Sequence, residues 1–67
     1  MKLTELHYQN SIFSIEWDDD IMTLSVQEGN IQLIDVTDQH IVASLNSINN
    51  NKFIMKRGSI NIIFVCV

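Results

Sequence analysis

A two-residue alternation of apolar and polar side chains is the feature that most constrains how this chain folds. Residues 12–17 and 21–27 both follow it, and in the second segment Met22, Leu24 and Val26 share one face. Strict alternation is typical of a half-buried β-strand. The sequence therefore predicts a mainly β fold, a small antiparallel meander of six to seven short strands. Such a meander would close as a barrel or stack as a sandwich completed by a dimer.

Three turn signals separate the predicted strands. Asp18-Asp19-Asp20 favours a turn because aspartate side chains bond their own backbone and like charges resist packing. Gly29-Asn30 predicts a two-residue hairpin turn into residues 31–36, since glycine accepts a positive φ. Gly58-Ser59 is the third turn signal. The segment 38–49 has two interpretations, because its apolar residues fit either a strand or a helical stripe, and an α+β fold with a helix at 38–49 is the alternative.

The last segment, residues 60–67, is apolar on both faces. Only Asn61 is polar within it, and a strand of this kind requires cover on both sides. An open apolar edge strand would also promote aggregation. We therefore expect this segment to form an interface, with the candidate residues Ile60, Ile62, Ile63, Phe64, Val65 and Val67.

The length of 67 residues allows a single domain, residues 1–67, with a small core. Domains of this size usually gain stability from disulfides, a metal or a partner chain. Cys66 is the only cysteine, which excludes an internal disulfide, and the two histidines do not form a close pair of metal ligands. By elimination, the partner is expected to be a second copy of the chain or another protein.

Charge is distributed unevenly along the chain. Residues 1–38 carry a net charge of −7 and residues 39–67 carry +3, which gives −4 for the whole chain. Direct binding to nucleic acid is disfavoured, because phosphate contacts need a basic face. The many isoleucines and asparagines, together with the absence of proline, are consistent with an AT-rich genome such as that of a phage, a plasmid or a low-GC bacterium. An alternative function is therefore a phage- or plasmid-type inhibitor that presents an acidic face to a nucleic-acid-binding protein, through Glu16, Asp18, Asp19, Asp20, Glu28, Asp35 and Asp38.

No motif of catalysis or of cofactor or metal binding occurs in the sequence. His7 and His40 could act as bases near neutral pH, but no serine stands in a recognisable nucleophile motif. We therefore expect no enzymatic activity, no catalytic, cofactor-binding or metal site, no cofactor and no small-molecule substrate. The longest apolar stretch has six residues, far fewer than the roughly 20 of a membrane-spanning helix. The sequence thus predicts a cytoplasmic protein that does not bind membranes, and its expected function is protein–protein interaction, with self-association favoured.

Residues 7–45 resemble one blade of a WD-repeat propeller. The pattern begins at His7, continues through residues 14–17 and 19–25, and ends at residues 29–35, where Ile34-Asp35 replaces the Trp-Asp pair. The glycine that precedes the histidine in the family is Leu6 here. Propellers contain about 4–8 blades. The resemblance therefore implies a four-stranded blade that assembles with other blades and takes part in protein interactions.

Overall fold

A computed structural model describes all 67 residues and contains seven β-strands and no helix. The mainly β prediction is confirmed, and the helix predicted as an alternative at 38–49 is wrong, because residues 41–46 form a strand. The strands are β1 (Lys2–Tyr8), β2 (Ser11–Asp18), β3 (Ile21–Glu28), β4 (Asn30–Asp35), β5 (Ile41–Asn46), β6 (Lys52–Lys56) and β7 (Ile62–Cys66).

The strands form two antiparallel sheets that pack face to face. Sheet A has the order β1-β2-β3-β6, and sheet B has the order β5-β4-β7. The predicted alternation places the inward side chains of both sheets in one core. The fully or almost fully buried apolar side chains are Phe13, Met22, Leu24, Val26, Ile31, Leu33 and Leu45.

The prediction of a hairpin turn at Gly29-Asn30 is wrong. Strand β3 pairs with β2 and β6, whereas β4 pairs with β5 and β7. Gly29 instead forms a one-residue corner, with φ of +85°, at which the chain leaves sheet A and enters sheet B. The positive φ was expected from the sequence, but the pairing partner of β4 is determined by contacts distant in sequence.

Three loops lie together at one end of the molecule, which we call the loop end. The Arg57 N–H donates to the Asp20 carbonyl at 2.7 Å, and the Val36 N–H donates to the Asn61 carbonyl at 2.9 Å. These hydrogen bonds join the β2–β3 turn, the β4–β5 turn and the β6–β7 loop. The predicted turns at Asp18–Asp20 and Gly58-Ser59 are confirmed, and both belong to this end.

The two sheets are in contact on one side and diverge on the other. Strands β5 and β6 pack against each other, while β1 and β7 are the last strands of their sheets and remain unpaired on their outer edges. The barrel is therefore open between β1 and β7. Residues 7–45 do not form one four-stranded blade, because β4 and β5 belong to the second sheet, so the propeller resemblance does not extend to the topology. The structure contains no helix that is long and apolar enough to cross a membrane.

Candidate functional site

The outer face of sheet B carries a row of three isoleucines, one from each strand. Ile34 of β4 pairs with Ile41 of β5 on one side and with Ile63 of β7 on the other. Residues that are directly opposite in an antiparallel pair project to the same face. About half of the Ile41 and Ile63 side chains is exposed, at 52% and 51%. We call Ile34, Ile41 and Ile63 the isoleucine row.

The residues that surround the isoleucine row carry no charge. The adjacent row across the same face consists of Ser44, Gln32 and Val65. Val36, half exposed, follows β4 at the loop end. An exposed apolar patch without charge is typical of a protein interaction surface.

The six residues predicted as an interface divide between the two faces of sheet B. Ile62 and Phe64 lie opposite Asp35 and Leu33 and point inward, where the Phe64 ring packs edge-on against the core residue Phe13 at a centroid distance of 5.7 Å. Ile63 and Val65 point outward. The remaining two predicted residues, Ile60 and Val67, flank the strand in the β6–β7 loop and after β7.

Phe64 is the inward residue of β7 that the core covers least. Its side chain is 37% exposed, because no strand lies beside β7 on its open edge. Sequence reasoning predicted that β7 is apolar on both faces but not which face is covered. The structure covers the inner face in part and leaves the outer face exposed.

A groove lies between the C-terminal halves of β1 and β7, and we call it the seam. Its volume is about 530 Å³. Six of its eight lining residues are hydrophobic, and none of the eight is an aspartate, glutamate, lysine or arginine. The lining residues are Leu6, His7, Tyr8, Gln9, Phe13, Phe64, Val65 and Cys66. Sequence reasoning did not predict the seam, because the alternation of β1 is too weak to indicate which of its residues face the core.

Five of the seven residues predicted as an acidic face lie at the loop end. Asp18 ends β2 and is followed by Asp19 and Asp20 in the β2–β3 turn, whereas Asp35 ends β4 and Asp38 lies in the β4–β5 turn. Cations lie among them, since the Lys56 Nζ is 3.8 Å from an Asp20 carboxylate oxygen. Arg57 stacks over the Trp17 ring at 3.9 Å from its centroid.

Of the two glutamates of the predicted acidic face, only Glu28 lies far from the five aspartates. Glu16 projects from the outer face of sheet A, two residues before Asp18 on the same face of β2, where it pairs with Leu3 and Thr23. Glu28 ends β3, at the end of the molecule opposite the loop end.

Asp35, Asp38 and His40 form the one cluster whose ligand atoms come close enough to hold a metal ion. Their candidate atoms lie within 4.8 Å of one another. The Asp35 carboxylate, however, accepts hydrogen bonds from the backbone N–H groups of Thr37 at 2.8 Å and Asp38 at 3.3 Å. This arrangement is that of an aspartate that stabilises a turn.

The two histidines contact carboxylates rather than serine hydroxyls. His7 Nε2 lies 2.7 Å from Glu5 Oε1, and His40 Nδ1 lies 3.9 Å from Asp38 Oδ2. All four side chains are largely exposed. Neither pair forms the base-and-nucleophile arrangement of covalent catalysis.

No protein-family model matches this chain, and the comparisons with curated proteins and with solved structures found no match. Function is therefore inferred from the chain's own surfaces. The two surfaces that differ from an ordinary solvated exterior are the isoleucine row and the seam.

Proposed function

We propose that this protein is a non-enzymatic interaction module that self-associates through the outer face of sheet B. The observation that carries the proposal is the isoleucine row, exposed on a face without charge. Burial of apolar surface is the main favourable term in association. Two isoleucine rows can pack against each other across a two-fold axis, because the same patch then serves both copies.

A second copy is a suitable partner because the charges of the chain lie elsewhere. A net charge of −4 makes two copies repel each other at long range. On the outer face of sheet B, neither the isoleucine row nor the adjacent row of Ser44, Gln32 and Val65 carries a charge. Packing through this face therefore brings no like charges into direct contact.

The size of the face sets the expected strength of association. Three strands of about six residues cover an area on the order of 300 Å², from a strand spacing of about 4.8 Å and a rise of about 3.3 Å per residue. Stable interfaces bury about 800 Å² per partner. Additional contacts from the flanking loops would be needed to reach that value, so we expect association in the micromolar range.

Size-exclusion chromatography with light scattering tests the proposal across the micromolar range. The wild-type protein should shift from the mass of one chain to that of two as concentration rises. Ile63→Lys should remain monomeric, because a buried lysine in the patch costs more than the apolar contact gains. Ile54→Lys is the matched control, since Ile54 is 62% exposed on the outer face of sheet A. A wild-type protein that stays monomeric while correctly folded would refute self-association.

The alternative function, an inhibitor with an acidic face, has weaker support. Glu28 lies at the end of the molecule opposite the five aspartates, and Lys56 and Arg57 are located among those aspartates. Because these two cations offset part of the aspartate charge, the negative electrostatic field at that end is reduced. Self-association therefore remains the function that we propose.

We also propose a cytoplasmic location. Cys66 is unpaired and partly buried at the seam. Free thiols persist in reducing compartments, whereas small extracellular domains are usually rich in disulfides. Fractionation of the producing cell tests the location, and recovery of the protein outside the cytoplasm would contradict it.

A further inference from the structure

The strand directions at the seam differ from those in the rest of the fold. Every hydrogen-bonded strand pair is antiparallel. Strands β1 and β7, however, both begin at the loop end, since Lys2 lies opposite Trp17 and Ile62 lies opposite Asp35. They therefore run parallel to each other across the seam. One strand inserted between them would be antiparallel to both and would complete an all-antiparallel arrangement.

The backbone of β7 presents hydrogen-bonding groups to the seam. The Val36 N–H donates to the Asn61 carbonyl, and the Val67 N–H donates to the Asn30 carbonyl. In an antiparallel pair the residues that bond to the neighbour alternate along the strand. Residues 61, 63, 65 and 67 therefore bond to β4, and the N–H and C=O groups of Ile62, Phe64 and Cys66 face the open edge.

The open edge of β7 lacks the features that usually prevent strand addition. Charged residues, prolines and covering loops protect the edge strands of most sheets. Strand β6 carries Lys52 and Lys56 at its two ends, and β1 carries Lys2 and Glu5. No residue from Gly58 to Val67 is charged. The seam thus combines unpaired backbone groups with an apolar, uncharged lining.

We propose that the seam binds one extended, uncharged segment of a partner protein as an added β-strand, antiparallel to both β1 and β7. Main-chain hydrogen bonds would supply affinity, and apolar side chains at alternate positions would enter the groove. The inward residues Leu6, Tyr8 and Phe64 would contact these side chains. This site is independent of the isoleucine row, which lies on the outer face of sheet B.

Titration with a defined peptide tests the proposal. The probe is a short synthetic peptide of alternating valine and threonine with a lysine at each end, and the control is the same peptide with every backbone nitrogen between the lysines methylated, which blocks both hydrogen-bonding edges of the strand. Hydrogen exchange monitored by NMR should show that the amides of Ile62, Phe64 and Cys66 become protected from exchange when the probe is added but not when the control is added. Equal effects of the two peptides would indicate an apolar ligand site without strand addition and would overturn the proposal, as would the absence of any protection.

Two variants of β1 that add the same positive charge at different positions test where the peptide binds. Tyr8→Lys places a lysine at the seam, where Tyr8 is 53% exposed, and should weaken probe binding about tenfold. Leu3→Lys places a lysine on the outer face of the same strand, opposite Glu16, and should leave binding unchanged. Equal losses in both variants would place the peptide elsewhere. Ile41→Lys alters the isoleucine row on β5, away from the seam, and should abolish self-association but retain probe binding, so that failure of self-association and failure of this proposal give different results.

Discussion

Gly29 is the residue at which the chain passes from one sheet to the other. Its φ of +85° is in a region that residues with a Cβ rarely adopt. A Cβ at this position would lie 2.5 Å from Ser11 Oγ and 2.6 Å from the Asn10 carbonyl oxygen. Ser11 is itself buried and donates to the Asn30 carbonyl at 3.3 Å. The corner therefore has no room for a side chain.

Gly29→Ala should lower the free energy of unfolding by about 3 kcal/mol or more, from backbone strain and from the displacement of buried neighbours. Gly58→Ala is the matched control, because Gly58 has φ of +80° and a Cβ added there would have no atom within 4 Å. Strain alone should cost that variant about 1 kcal/mol. Urea unfolding of both variants measures the difference. Equal losses would show that the contacts at Gly29 are unimportant.

At the scale of the strands, the sequence predicted local structure better than pairing. Alternation in β2 and β3 and the aspartate turn between them correctly indicated two consecutive antiparallel strands. Segment 38–49 stayed ambiguous because a register shift between Leu33 and Ile34 makes Val42 an extra residue in β5. That bulge interrupts the alternation that would otherwise have distinguished a strand from a helix.

The candidate sites depend on which strands are neighbours in each sheet, so the sequence could predict them only in part. Ile63 was predicted as an interface residue from β7 alone. Its neighbours Ile34 and Ile41 come from other strands, so the isoleucine row could not be recognised without the register. The seam requires the relative position of β1 and β7, which lie at opposite ends of the chain and do not pair.

Strand β7 should show an alternating pattern of amide exchange in the free monomer. The amides of Ile63 and Val65 bond to β4 and should exchange slowly, whereas those of Ile62, Phe64 and Cys66 face the open edge and should exchange quickly. Hydrogen exchange of a dilute sample, resolved by NMR, measures each amide. The Ile54→Lys variant provides a folded control with β7 unchanged. Uniform protection along β7 would mean that its edge is already covered.

At the scale of the whole molecule, the small core explains why association would matter for stability. Only 8 of the 67 residues are buried, and seven of these are apolar. Eleven large hydrophobic side chains remain exposed. A domain of this size is marginally stable alone, so a contact that covers the isoleucine row would contribute a significant fraction of the total free energy of unfolding.

If folded chains associate and unfolded chains do not, the melting temperature must depend on protein concentration. Within the range in which dimers predominate, a tenfold rise in concentration should raise Tm by roughly 3–6 °C for a domain of this size. Circular dichroism melts over a series of concentrations measure the dependence. Ile63→Lys should give a Tm that does not change with concentration, whereas Ile54→Lys should follow the wild type. A wild-type Tm independent of concentration would mean that the isoleucine row does not bind a second copy, and another protein would then have to cover it.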